Sequence, residues 1–298
     1  MIKLANVTPN TLSYFMLNLV LSRDVDMSSM VLLGILVVFL LGIIFNYIFK
    51  MVEMAYVMKY RKPMYNHVYL YLKRLDKSQR LILEKQFTFY NKLPNKSKRY
   101  FEHRVFRFIE DKEFIGRSGV EINDEIKVLI SATAVMLTFG FRDFYIGLIS
   151  KIVVYPTKFY SKTNDAYHKG EFNPKLEALV VSWEDFKEGY KTADDNLNLG
   201  IHELTHAIHI NSIKERDVSS TIFSDTFKEL SDLLVNDEAL RARLMTSGYF
   251  RKYAFTNQFE FLAVVIENFI ETPNTFQLEF PEIYVKVKQM LNFNIVGY

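Results

Sequence analysis

The stretch Asn198 to Asn211, NLGIHELTHAIHIN, decides how the rest of the chain is read. Inside it, His202, Glu203 and His206 form H-E-x-x-H. On an α-helix, residues four apart share one face, about 6 Å along the axis, so both imidazoles can ligate one metal ion. Glu203 lies roughly 100° around the helix, where it can reach a metal-bound water without being a ligand. Leu199, Ile201, Leu204, Ala207, Ile208 and Ile210 give the helix the flanks of a buried element.

A site of this kind needs a third protein ligand and keeps a fourth position open for water. The best candidate is Glu260, in YAFTNQFEFLAVVIENFIE. Its neighbours Phe259, Leu262, Ala263, Val264 and Ile266 are apolar, and an ionised carboxylate there is costly unless paired or metal-bound. The competing reading is a first-turn carboxylate favoured by the helix dipole, with Thr256 or Asn257 as cap. Upstream, Tyr253 offers a phenol that can donate to the oxyanion developing on a scissile carbonyl. Glu267, two turns after Glu260, is either an orienting partner for a metal-bound histidine or a salt-bridged carboxylate. His209 follows His206 by one turn and suits a supporting role, whereas His67, His103 and His168 lie outside any ligand spacing.

Composition narrows the chemistry. The 298 residues are 49% hydrophobic and 24% charged, with a net charge of +3 and no cysteine. Disulfides, cysteine-ligated zinc and a thiol nucleophile are excluded, leaving His and carboxylate ligands, types that favour zinc. No dense basic stripe supports nucleic-acid binding.

Residues 27–49, MSSMVLLGILVVFLLGIIFNYIF, carry no charge and are long enough to cross a hydrocarbon core of about 30 Å. They read as a single membrane anchor; the run is too long for a signal-peptide core, and no cleavage site follows. The run Leu12 to Leu21 is too short to span. Lys50, Lys59, Arg61 and Lys62 follow the span, which puts the C-terminal part in the cytoplasm by the positive-inside rule. Two segments result: 1–62, anchor and juxtamembrane, and 63–298, one compact domain.

Within that domain, apolar spacing predicts helices over 77–92, through Phe101 to Ile109, and over Ile126 to Leu137. KIVVY (Lys151 to Tyr155) and ALVVSW (Ala178 to Trp183) read as strands, with a turn at Asn173-Pro174 between them. The expected fold is α+β, mostly helical, with a small sheet beside the metal helix. Leu179 to Trp183 is the expected sheet edge, on which a peptide could lie as an added strand.

The order H-E-x-x-H, then about fifty residues later Y-A-x-x-N-x-x-E-F-x-A-V, resembles the MtfA (Mlc titration factor A) zinc-dependent peptidases. The Tyr-to-Glu spacing resembles the catalytic domain of anthrax lethal factor. Arg104-Val105, Val154-Tyr155-Pro156, VVSW at 180–183 and Phe280-Pro281 extend the resemblance over about 80–292. It implies a zincin-like fold, one zinc ion held by His202, His206 and Glu260, Glu203 as general base, and Tyr253 on the oxyanion side. It implies a peptide or protein substrate, with exo- or endopeptidase preference open. It also implies binding of a transcriptional repressor, so the alternative to an enzyme is a regulatory protein that sequesters a partner at the membrane. The sequence departs from the family at Gln258-Phe259-Glu260 and at His209-Ile210-Asn211, and by its anchor.

Overall fold

The computed structural model describes residues 27–161, 165–191 and 195–295. The apolar run 12–21 and the charges that precede the span lie outside them. Two units separate along the chain, Met1–Glu53 and Met54–Tyr298. Within the first, residues 27–53 belong to helix α1 (Met27–Tyr60), whose uncharged stretch exposes its apolar side chains. Among the described residues, α1 is the helix long and apolar enough to cross a membrane, with a mean hydropathy of 2.8.

The second unit is mostly helical. Helices α2 (Lys77–Gln86), α3 (Thr88–Lys92), α4 (Asn95–Asp111) and α5 (Asp124–Leu137) surround an aromatic core. The expected helix over 77–92 breaks at Phe87, whose ring is buried against Phe101 and Tyr190. Strands β1 (Glu113–Gly116), β2 (Lys151–Tyr155), β5 (Gly170–Asn173) and β6 (Ala178–Ser182) form one sheet in the order β1-β2-β6-β5. β1, β2 and β6 run parallel, and β5 returns antiparallel on β6. A separate hairpin pairs β3 (Phe159–Ser161) with β4 (Ala166–His168).

This arrangement corrects one expectation. β6 is paired on both sides, by β2 and β5, so Leu179 to Trp183 is not the sheet edge. Its near-continuous burial fits a central strand, and the short polar strand GEFN takes the edge beside it.

Helices α6 (Trp183–Lys191), α7 (Leu199–Lys214), α8 (Val218–Asn236), α9 (Glu238–Thr246), α10 (Gln258–Glu271), α11 (Pro273–Glu279) and α12 (Pro281–Met290) complete the unit. α7 packs against α5, α8, α10, β5 and β6, which makes it the central helix. The last turns of α1 belong to this unit: Val57 is buried with Val218 and Ile222 of α8, and Arg61 reaches Asp225 at 2.6 Å and Glu229 at 2.7 Å.

A buried cation ties the segment after α1 to the core. Arg104 of α4 is fully buried and donates to the carbonyls of Thr138, Phe139, Phe141 and Asn66 at 2.7–3.2 Å. Its Nε donates to the Tyr69 hydroxyl at 2.6 Å, and its guanidinium sits 4.6 Å from the Phe144 ring centroid.

Candidate metal centre

α7 starts where Asn198 caps it, the Asn198 side chain accepting from the Ile201 amide at 3.1 Å. From that start, His202 and His206 fall one turn apart on one face. Their Nε2 atoms lie 3.1 Å from each other. α10 starts at a similar cap, Asn257 Oδ1 accepting from the amides of Phe259 and Glu260. Glu260 is therefore a first-turn carboxylate, as the competing reading had it, and it also faces the imidazoles. Its Oε2 lies 2.9 Å from His202 Nε2, and its Oε1 lies 3.6 Å from His206 Nε2.

Do these atoms fit a metal ion? All three groups offer a donor atom within 4.8 Å of one another. Tetrahedral zinc with bonds near 2.0–2.1 Å separates its ligand atoms by about 3.3 Å. The three separations bracket that distance. Among the described residues Glu260 Oε2 is buried and finds no hydrogen-bond donor of good geometry, a cost a cation would remove. Burial works against a charge on His202, but the carboxylates of Glu260 and Glu267 beside it outweigh that and push the imidazole up to about 9. For Glu260, burial is likewise outweighed by both histidines, which hold its carboxyl well below the usual range. The surroundings favour positive charge at this point, and the donor set fits.

The histidines are also oriented from behind. Glu267 of α10 is fully buried, and its Oε1 lies 2.6 Å from His202 Nδ1. Holding the proton on Nδ1 leaves the Nε2 lone pair for the cluster. Arg251 clamps Glu267 with two bonds of 2.8 Å, and the Asn198 amide donates to Glu267 Oε2 at 3.2 Å. Arg251 also holds the Asn196 carbonyl, which fixes the loop leading into α7. Glu267 is thus both orienting and salt-bridged. Arg251 went unread in the sequence, since nothing local marks it. Asn198 could have been read as a cap from its place before the apolar run.

Glu203 points toward β5. A Cβ on Gly170, the first residue of that strand, would lie 2.6 Å from Glu203 Cγ and 2.7 Å from its Oε1. Only glycine lets the strand approach this closely. Burial holds the Glu203 carboxyl above its usual range, against the two histidines beside it and a bond from the Phe172 amide.

Tyr253 sits on a single 3-10 turn (Lys252–Phe255), half exposed, its ring 6.1 Å from that of His202. Burial and the Glu260 carboxylate push its hydroxyl up to about 12, so at neutral pH it carries its proton. A cleft of about 470 Å³ is lined by His202, Glu203 and Tyr253, with His168, Gly170 and Arg251 among its other walls. His168, expected outside the site, lines this cleft, its buried Nε2 without a partner. His209 does not join the cluster. It packs on Phe227 and Phe259, and burial, aided by nearby His206, lowers it to about 4. His67 stacks on Tyr100, and His103 Nδ1 accepts from the Lys73 amide, both structural roles.

Comparison with known proteins agrees in extent. The family described as "Glucose-regulated metallo-peptidase M90" matches residues 61–292. A relative from Synechocystis sp., described as "Uncharacterized protein slr2042", is 23% identical over 237 residues, 72% of this chain and 83% of that protein.

Proposed function

This chain belongs to the glucose-regulated metallo-peptidase M90 family, and from that premise we propose that it is a membrane-anchored zinc metallopeptidase using Glu203 as general base. Its family makes it a metal-dependent peptidase acting on peptides or proteins. The observation that carries the finer reading is the convergence of His202, His206 and Glu260 within 4.8 Å, beside the buried Glu203.

In this reading His202 and His206, through Nε2, and Glu260, through its carboxylate, hold the ion. Bound zinc supplies Lewis acidity and lowers the pKa of water at its open position toward about 7. Glu203 takes a proton from the attacking water and passes it to the leaving amine; burial beside β5 raises its proton affinity toward that task. Tyr253 keeps its proton and donates to the carbonyl oxygen as negative charge develops there. Glu267, clamped by Arg251, keeps the His202 proton on Nδ1. The edge strand β5, in place of β6, offers backbone groups to an extended substrate.

α1 is proposed as the anchor, with the unit from Met54 on the cytoplasmic side, on the strength of Lys50, Lys59, Arg61 and Lys62 after the uncharged run. The other reading is a binding protein that holds a transcriptional repressor at the membrane. Such a protein has no need of a buried base beside a His-His-Glu cluster.

The test uses the full chain in detergent, with metal content and peptide hydrolysis measured together. Glu203→Gln should keep one metal per chain and lose hydrolysis on the order of 10²–10⁴-fold. A wild-type rate in that variant removes Glu203 as base. His206→Ala should lose the metal, and full occupancy would remove it from the ligand set. Metal without hydrolysis in the wild type favours the binding protein.

A further inference from the structure

Asn198 belongs to the walls of two cavities. One is the cleft of the metal cluster; the other, of about 130 Å³, is lined by Phe87, Tyr190, Ile201, Ile270 and Glu271 among others. We propose that this second cavity binds a small organic amine as its ammonium ion, with Glu271 as the counter-charge and the Phe87 and Tyr190 rings against its body.

The side chains specify that class of ligand. Glu271 ends α10, and its Oε2 is buried with no hydrogen-bond partner among the described residues. The Asn198 side chain and the Asn196 backbone reach the carboxyl, yet among the described residues that second oxygen stays unsatisfied. Burial, with Asp195 and Glu267 nearby, pushes the acid up to about 7, and among the described residues no cation offsets it. The Phe87 and Tyr190 ring centroids lie 5.6 Å apart, and Thr133 takes the Tyr190 hydroxyl, which leaves the ring for a ligand's apolar body. An ammonium N–H satisfies the orphan oxygen, while a ring-sized or short alkyl body gains apolar and cation–π contact. A neutral molecule forgoes the ion pair, and an anion is repelled.

Occupancy has a route to the metal helix. Asn198 caps α7 with its side chain and donates its amide to Glu267, which bonds His202. This coupling rests on the metallopeptidase reading; the binding itself does not.

The experiment titrates full-length protein in detergent with 4-fluorobenzylamine, followed by fluorine NMR. The neutral comparator is 4-fluorobenzyl alcohol, and Glu271→Gln is measured in the same detergent. A fragment of this size should bind with Kd of about 1 mM. The alcohol on wild type, and the amine on Glu271→Gln, should each bind at least tenfold more weakly. Equal binding of amine and alcohol overturns the proposal even if the variant fails to fold. So does unchanged amine binding in a folded Glu271→Gln, or no saturable binding by roughly 10 mM, which leaves a cavity for water alone. Repeating the titration after chelation separates the two claims: binding that persists stands whether or not the cluster holds zinc.

Discussion

Arg104 and Arg251 each pin a loop to the second unit, with different partners. Arg104 is fully buried, and its hydrogen bonds go to four backbone carbonyls and the Tyr69 hydroxyl. The Arg251 side chain is 27% exposed, and it grips both oxygens of a carboxylate that is itself buried. The bonds of the first end in the backbone, so removing that residue damages the fold. The bonds of the second continue through Glu267 to His202 and so to the cluster. Position in a hydrogen-bond chain, more than burial, separates a residue that completes a structure from one that prepares a site.

That contrast can be broken by measurement. Arg104→Met leaves several buried carbonyls without donors and should cost about 3–4 kcal/mol of stability, read as a lower thermal midpoint. The fraction that remains folded should still bind metal normally; a metal defect there would erase the distinction. Tyr253→Phe should slow hydrolysis on the order of 10²-fold, with kcat falling more than KM changes. Its half-exposed ring predicts an unchanged thermal midpoint. Glu267→Ala should weaken metal affinity about 10–100-fold in a competition titration, with Glu267→Gln intermediate because an amide oxygen still accepts from Nδ1. If all three chains bind metal equally, Glu267 is only a counter-ion for Arg251. Arg61→Ala, which breaks two partly exposed ion pairs, should cost about 0.5–1 kcal/mol and leave metal binding untouched.

The metal helix was legible because its information is local: a four-residue spacing, a cap and apolar flanks all lie within Asn198 to Asn211. That Glu260 lies beside the two imidazoles was legible from its apolar neighbours and its order after the H-E-x-x-H helix. α1 was legible from composition. β5 was not, since GEFN is short, begins with glycine and lacks the alternation that marks a strand; its place comes from pairing with β6. The absence of that pairing from the sequence is also why Leu179 to Trp183 reads as an edge there. Arg251 escaped for a similar reason, and Glu267 was left between two readings: a charged residue read in sequence looks solvated, and only packing shows that Glu267 has no exposure.

Shortening the chain has to respect where α1 passes from exposed apolar surface into the compact unit. The compact unit begins at Met54, and Val57 lies against Val218 and Ile222, while Arg61 holds Asp225 and Glu229. A fragment beginning at residue 63 would strip those partners from α8, the helix packed against the metal helix, and uncover a patch that now keeps out water. A fragment beginning at Met54 retains every one of them. A start at residue 63 would therefore remove packing behind α7 that a start at Met54 keeps.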